Sequence, residues 1–257
     1  MNPRMKIEIV TLFPDYFDSV INQSITARGQ NKRLFEIKII DLREYTLDKH
    51  RTADDKPFGG GGGMVLKVEP LTACLRDLGY ERTCREGERI ILTTAAGRVL
   101  TQARAVTYSL CSRLTVICGH YLGVDERLLA LFEIDEISIG DYVLTGGEPA
   151  AAVLMDAVTR LIPGVLGNFA SALTDSHVET GLGPPVYTRP EEYEDLRVPD
   201  ELIGGNHREI ERFRRQQALK KTYNNRPELL QKLDLDDSDR KYIQQLEKND
   251  NENKEEV

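Results

Sequence analysis

A chain of 257 residues, 40% hydrophobic and 30% charged, can form one large domain or two modest ones and needs no disulfide or metal staple. Its net charge of −8 would weigh against a nucleic-acid partner if evenly spread, but seven bases and two acids lie between His207 and Arg226, and nine acids and four bases between Asp234 and Val257. No apolar run approaches a membrane span, and the four Cys and four His are too scattered for a metal cage, so neither a membrane role nor a metal site is expected.

The first residues pass straight into an apolar run with no signal peptide, which predicts a cytoplasmic protein with reduced, buried thiols. Lys6–Phe13 reads as a strand, and the segment from Pro14 to Ile25 as a helix opened by its proline. A second strand is expected over Phe35–Leu42, then a long polar loop from Arg43 to Gly63. That loop ends in five consecutive glycines, Gly59–Gly63. They read either as a flexible linker or as backbone able to lie close against phosphate or ribose; no GK[ST] follows, so it is not a P-loop. Helices are expected at Glu69–Tyr80, Val99–Ser109, Asp125–Leu131 and Glu148–Leu161, and strands at Arg89–Thr94, Arg113–Gly119 and Asp135–Tyr142. Alternating strands and helices predict an α/β domain with a mainly parallel sheet, which binds ligands at the carboxyl ends of its strands.

The stretch from Ile137 to Gly167 is the most informative. An apolar run breaks at Gly140, resumes through Tyr142–Leu144, and breaks again at Gly146–Gly147 before a helix starts at Glu148–Pro149. Strand, glycine turn and helix start together build a pocket from backbone groups. Past Pro163 scattered Gly and Pro read as a linker, and past Arg189 the chain reads as helical and charged. The helix His207–Lys221 is rich enough in bases to favour a polyanion. Asp175 and Arg160 signal nothing alone: a loop Asp is usually solvated, and a helix-terminal Arg usually meets carbonyls.

Taken together, Ile9–Phe17, Asp48–Met64, Gly119–Arg127, Ile137–Glu148, Asp156–Gly167, Ala170–Ser176 and Tyr187–Pro190 resemble one family nearly end to end, about residues 5 to 230. It is the bacterial tRNA (guanine-N1)-methyltransferase family, TrmD, of the SPOUT superfamily. The resemblance implies an α/β SPOUT fold whose mainly parallel sheet carries a deep trefoil knot, plus a small helical C-terminal domain. The implied boundaries are an S-adenosylmethionine-binding domain over 1–164, a linker over 165–188, a helical tRNA-binding domain over 189–246 and a disordered tail over 247–257.

The implied activity moves the methyl of S-adenosyl-L-methionine to N1 of guanosine at tRNA position 37, beside the anticodon. Asp175 corresponds to the general base and Arg160 to the group that stabilises charge on the guanine O6. The cofactor would lie among Leu92–Gly97, Gly119–Gly123 and Ser138–Gly147, contacting Gly119, Ile139, Gly140, Asp141, Tyr142, Val143, Leu144, Gly146 and Gly147. Gly59, Gly60, Gly61, Ser176, Arg214 and Arg215 would contact the tRNA anticodon arm. The implied assembly is a homodimer with a shared site; DNA is not an expected partner.

The chain departs from the family in places. Leu122 stands where a glutamate tied to cofactor handling and magnesium dependence is usual, which leaves magnesium an open requirement. Thr94-Ala95-Ala96-Gly97 replaces the usual Ser-Pro-Gln-Gly, and Phe58 and Gly62 replace Tyr and Pro. These changes motivate two rival readings: a tRNA-binding SPOUT protein with weak or lost catalysis, and methylation of a different RNA base. Cofactor binding would separate the first from the enzyme.

Overall fold

The computed structural model describes residues 4–167, 176 and 181–255. The chain divides into two compact units, Met1–Gly167 and Asn168–Val257.

The first unit is built on a five-stranded sheet, as the alternating pattern predicts. Its strands are β1 (Met5–Thr11), β2 (Phe35–Asp41), β5 (Glu88–Val99), β6 (Arg113–Cys118) and β7 (Ile134–Ser138), in the order β2-β1-β6-β5-β7. Every pairing is parallel. Successive side chains of a strand point to opposite faces, and the core divides accordingly. Ile7, Ile9, Ile91, Leu114 and Val116 enter one apolar cluster, Val10, Ile90, Leu92 and Ile117 the other.

Helix α6 (Glu148–Thr159) closes the first cluster with Ala151, Leu154, Met155 and Val158, a spacing of three and four that forms one apolar stripe. Helix α4 (Gln102–Ser109) adds Ala105 and Tyr108. Helices α3 (Val68–Asp77) and α5 (Arg127–Leu131) close the other face with Leu71, Cys74, Leu75 and Leu128. All four cysteines are free; Cys74 and Cys118 are buried and the other two half-buried.

Four differences from the sequence-based reading have local causes. The expected helix from Pro14 to Ile25 is a 3-10 turn (Pro14–Phe17), a short α1 (Asp18–Ile21), a break, and α2 (Ser24–Asn31). The Asn22 side chain donates to the Asp18 carbonyl at 2.8 Å and takes an acceptor from the helix ladder, and Ser24 restarts the chain at φ 52°. The expected strand Asp135–Tyr142 ends at Ser138, whose hydroxyl bonds the backbone of Gly140 and turns the chain.

Strand β5 outruns its expected end because it bulges: both Thr93 and Arg98 pair with Ile137, and Thr94–Gly97 loops out between them. A methyl group on Gly97 would lie 2.5 Å from the Ile137 nitrogen, so only glycine re-enters the ladder there. The expected polar loop 43–63 contains a 3-10 turn (Leu42–Tyr45) and β3 (Asp54–Asp55), which pairs antiparallel with β4 (Val65–Leu66).

The second unit, expected to be helical from Arg189, opens instead with a hairpin of β8 (Glu192–Tyr193) and β9 (Leu196–Arg197). Glu194 and Asp195 both take positive φ in its two-residue turn. Helices α7 (Asp200–Ile203), α8 (His207–Asn225) and α9 (Asp237–Glu255) follow. The Asn206 side chain caps α8, accepting from the Arg208 amide. Helix α9 runs on to Glu255, through most of the segment expected to be disordered. Its residues include good helix formers, and a Lys248–Glu252 pair one turn apart supports it.

Candidate active site

A cavity of about 490 Å3 opens at the carboxyl ends of β5, β6 and β7, within the range of small-molecule sites. Three loops wall it: Thr94–Ala96 from the β5 bulge, Gly119–Val124 after β6, and Ile139–Gly147 after β7, with Tyr142, Val143 and Leu144 on the last.

Glycines let these loops touch. A methyl on Gly147 would lie 2.1 Å from Thr93 Oγ1 and 2.6 Å from the Gly119 nitrogen; one on Gly119 would lie 2.5 Å from the Thr93 carbonyl oxygen. In that contact the Gly147 amide donates to the Gly119 carbonyl at 2.6 Å. The buried Thr93 hydroxyl accepts from the Gly119 amide and lies within hydrogen-bond reach of the Ile117 and Gly147 carbonyls. His120 and Gly146 form an antiparallel bridge just beyond. The Tyr142 ring folds back over Gly140, where a methyl would lie 2.4 Å from Cε1, and its hydroxyl donates to the Ile139 carbonyl.

Beneath this floor sits Glu148, 4% exposed at the start of α6. One carboxylate oxygen accepts from the Thr11 hydroxyl at 2.7 Å; the other lies with the His120 imidazole edge against Gly146. A carboxylate in the first turn also suits the positive end of the helix. His120 Nδ1 is buried without a hydrogen-bond partner. Burial and the nearby Glu148 charge push the Cys118 thiol well up, so the cavity holds no activated thiolate there.

The Gly-rich loop is tied to the cavity's rim. The Leu122 amide donates to the Met64 carbonyl, Leu66 to Gly123, and Asp125 to Leu66. The Leu122 side chain packs on Gly63, which stands at φ 94°. Leucine here holds the loop by apolar contact.

Eight of the nine residues expected to hold a cofactor line the cavity: Gly119, Ile139, Gly140, Tyr142, Val143, Leu144, Gly146 and Gly147. Asp141 does not; it is exposed beside them. Gly59, Gly60 and Gly61 all have positive φ and open space around Cα, and they lie outside the lining. Arg160 caps the far end of α6, and at about 1.5 Å rise per residue its Cα stands roughly 18 Å from the cavity end of that helix. Asp175 lies outside the described residues.

Ser176 accepts from the Gly183 amide at 2.8 Å. Arg214 is exposed on α8. Arg215 is not a spare cation: its guanidinium grips both oxygens of Asp239 and the Asp234 carbonyl, tying α8 to α9. Sequence reading placed Thr93 and His120 within the expected cofactor loops and Glu148 at a helix start, but gave none of them a role, because their partners are far away in the chain. No cluster of three or more metal-ligating side chains occurs among the described residues, and no helix there is long and apolar enough to cross a membrane.

Parallel sheet, carboxyl-end cavity and backbone-lined walls define a small-molecule-binding α/β protein with an appended helical unit. The family model described as tRNA (Guanine-1)-methyltransferase TrmD matches residues 5–232, so it spans both units. A tRNA (guanine-N(1)-)-methyltransferase of Geotalea uraniireducens is 48% identical over 244 residues, covering 95% of this chain and 98% of the relative. Enzymes of the same name from Staphylococcus haemolyticus and Geobacter metallireducens are 47% and 46% identical, each covering 95% of the chain and 98% of the relative. The chain belongs to the TrmD family. It is therefore a methyl-transferring enzyme, and membership implies S-adenosylmethionine as the donor. The cavity fits that group: its size is right, and glycines leave main-chain groups open to a ligand's polar edges.

Proposed function

We propose that this enzyme methylates N1 of guanosine at position 37 of tRNA, beside the anticodon, as a homodimer with shared sites. The cavity carries the reading, because its walls coincide with the segments expected to bind S-adenosylmethionine. When bound there, that molecule supplies a methyl on a positively charged sulfur.

The chain's own residues do the rest. Neutral guanine holds a proton on N1 and is a poor nucleophile. Asp175 takes that proton, and Arg160 stabilises the charge that builds on O6. The N1 electron pair then forms the new N–C bond, the C–S bond breaks, and its electrons remain on a neutral thioether. The loop walls exclude water and hold the donor in line. No protein nucleophile and no metal is needed in this scheme; Leu122 at the rim is consistent with turnover that does not depend on magnesium.

The position of Arg160 supports the dimer. Within one chain it caps the end of α6 remote from the cavity, so a second subunit is the simplest way to bring such an arginine to the reacting base. Exposed Arg208, Arg212, Arg214, Lys220 and Lys221 on α8 would hold phosphates of the anticodon arm, positioning rather than reading it. The enzyme would work in the cytoplasm.

Asp175→Ala tests the chemistry. Transfer should fall by about 10²- to 10⁴-fold, while calorimetry shows S-adenosylmethionine still bound. Unchanged turnover would remove Asp175 from the base role.

A further inference from the structure

The cavity and the proposed base come from different parts of the chain. Loops of the first unit wall the cavity, whereas the second unit begins at Asn168 and so includes Asp175. A general base works only within hydrogen-bond reach of the proton it takes. The residues that follow Asp175 in the chain show what anchors it.

Residues 181–183 dock on helix α8. Gly181 is buried, and a methyl on it would lie 2.8 Å from Thr222 Oγ1 and 3.2 Å from Leu233 Cδ1. The Leu182 amide donates to Thr222 Oγ1 at 2.9 Å. The Thr222 hydroxyl in turn donates to the Ala218 carbonyl, one turn back along α8, at 2.7 Å. Thr222 is fully buried, with Ala218 and Leu219 buried close by on the same helix. Its hydroxyl has one proton to give and two lone pairs. The proton goes to its own helix, and a lone pair meets the incoming chain.

The next amide continues the link. Gly183 donates to Ser176 Oγ at 2.8 Å. Ser176 directly follows Asp175, so their Cα atoms are about 3.8 Å apart across the peptide bond. Two consecutive amides thus join α8 on one side to the neighbour of the base on the other. Helix α8 also presents the exposed Lys220 and Lys221 immediately before Thr222.

We propose that Thr222 is a positioning residue for methyl transfer. Through Leu182, Gly183 and Ser176 it ties the chain at Asp175 to the helix that grips RNA phosphates. The tRNA and the base that deprotonates it are then held by the same helix. The proposal rests on the reading of Asp175 as general base. Thr222 touches neither substrate nor cofactor, so it acts on where the base stands and not on how tightly either ligand binds.

The test is a double-mutant cycle in the full-length enzyme, using an unmodified tRNA transcript with guanosine at position 37. Single-turnover methyl transfer is measured at saturating tRNA and S-adenosylmethionine for Thr222→Val, Asp175→Ala and the two combined. Thr222→Val should slow transfer by about 10- to 100-fold, the scale of a small misplacement of a reacting group. Its KM for tRNA and its affinity for S-adenosylmethionine should stay within about twofold of the unaltered enzyme. With Asp175→Ala already present, Thr222→Val should change the rate no further, because no base remains to be positioned. Thr222→Ser, which keeps the hydroxyl, should recover most of the rate. Ser176→Ala breaks the link at its other end without altering α8, and keeps the test open where Thr222→Val does not fold. It should slow transfer too, with no further loss once Asp175→Ala is present. Equal losses with and without Asp175, or a raised KM for tRNA at an unchanged single-turnover rate, overturn the positioning role. Normal turnover by Asp175→Ala alone removes the base assignment and the proposal with it, a result read without any Thr222 variant.

Discussion

Thr93, Gly119 and Gly147 show how single residues decide this site. Three segments distant in sequence meet at their main chains, and the absence of two side chains makes the contact possible. Gly147→Ala places a carbon 2.1 Å from Thr93 Oγ1, with backbone on its other side. The variant should lose roughly 1–3 kcal/mol of stability, as overpacking does. It should also fail to bind S-adenosylmethionine in a calorimetric titration; native-like binding would show that the loops can part without harm. The glycines were legible in the sequence, since a strand broken by Gly-Gly before a helix start announces a tight turn. Thr93 and His120 were not. A threonine at the end of an apolar run looks ordinary until the fold brings Gly119 and Gly147 against it. Asp141 errs the other way: it sits among lining residues in sequence, but the turn of the loop leaves it outside the lining.

At the scale of elements, the parallel pairing of β1 and β6 is secured away from the cavity by one polar cluster. Arg113 bonds both oxygens of Glu8, at 2.9 Å and 3.0 Å, and stacks over the Tyr80 ring at 4.5 Å. The Thr115 hydroxyl donates to Glu8, and Tyr80 shares a hydrogen bond with Thr115. Burial pushes the Tyr80 hydroxyl up to about 12, so it stays a neutral partner. Glu8→Ala leaves the largely buried Arg113 charge with only its longer contact to Glu88, at 3.8 Å, and should cost about 3 kcal/mol in denaturant unfolding. A loss below about 0.5 kcal/mol would mean the pair behaves like one on the surface. Strand positions were well read from their apolar runs, because both faces of these parallel strands enter a core cluster. Ends were read less well. The helix from Pro14 breaks where Asn22 competes for a backbone carbonyl, and β5 overruns where a bulge lets it pair past its loop. Such competition is settled by contacts that propensity does not contain. The charged tail shows a related competition: its low hydropathy suggested disorder, while its helix-forming residues carry α9 to Glu255.

For the whole molecule, the net charge of −8 hides an uneven distribution. The basic residues of α8 lie in the unit that the family match extends through to residue 232. Arg215 leaves that set, because Asp239 and the Asp234 carbonyl already hold it. The proposed dimer with shared sites is testable by complementation. Ala95→Trp fills the cavity from an exposed loop position, and Asp175→Ala removes the base. Neither variant should work alone. Mixed dimers carrying one of each should regain activity, since one of the two composite sites keeps an intact cavity and an intact Asp175. Inactive mixed dimers would place both functions within a single subunit.

The central claim is methyl transfer to one atom of one base. It is tested most directly by incubating the enzyme and labelled S-adenosylmethionine with an unmodified tRNA transcript bearing guanosine at position 37, with and without magnesium. The digested product is then identified by mass spectrometry. The account predicts N1-methylguanosine at that position, in both conditions, and none when the guanosine is replaced by adenosine. Methyl on another atom or another nucleotide, or tight tRNA binding with no product, would contradict it.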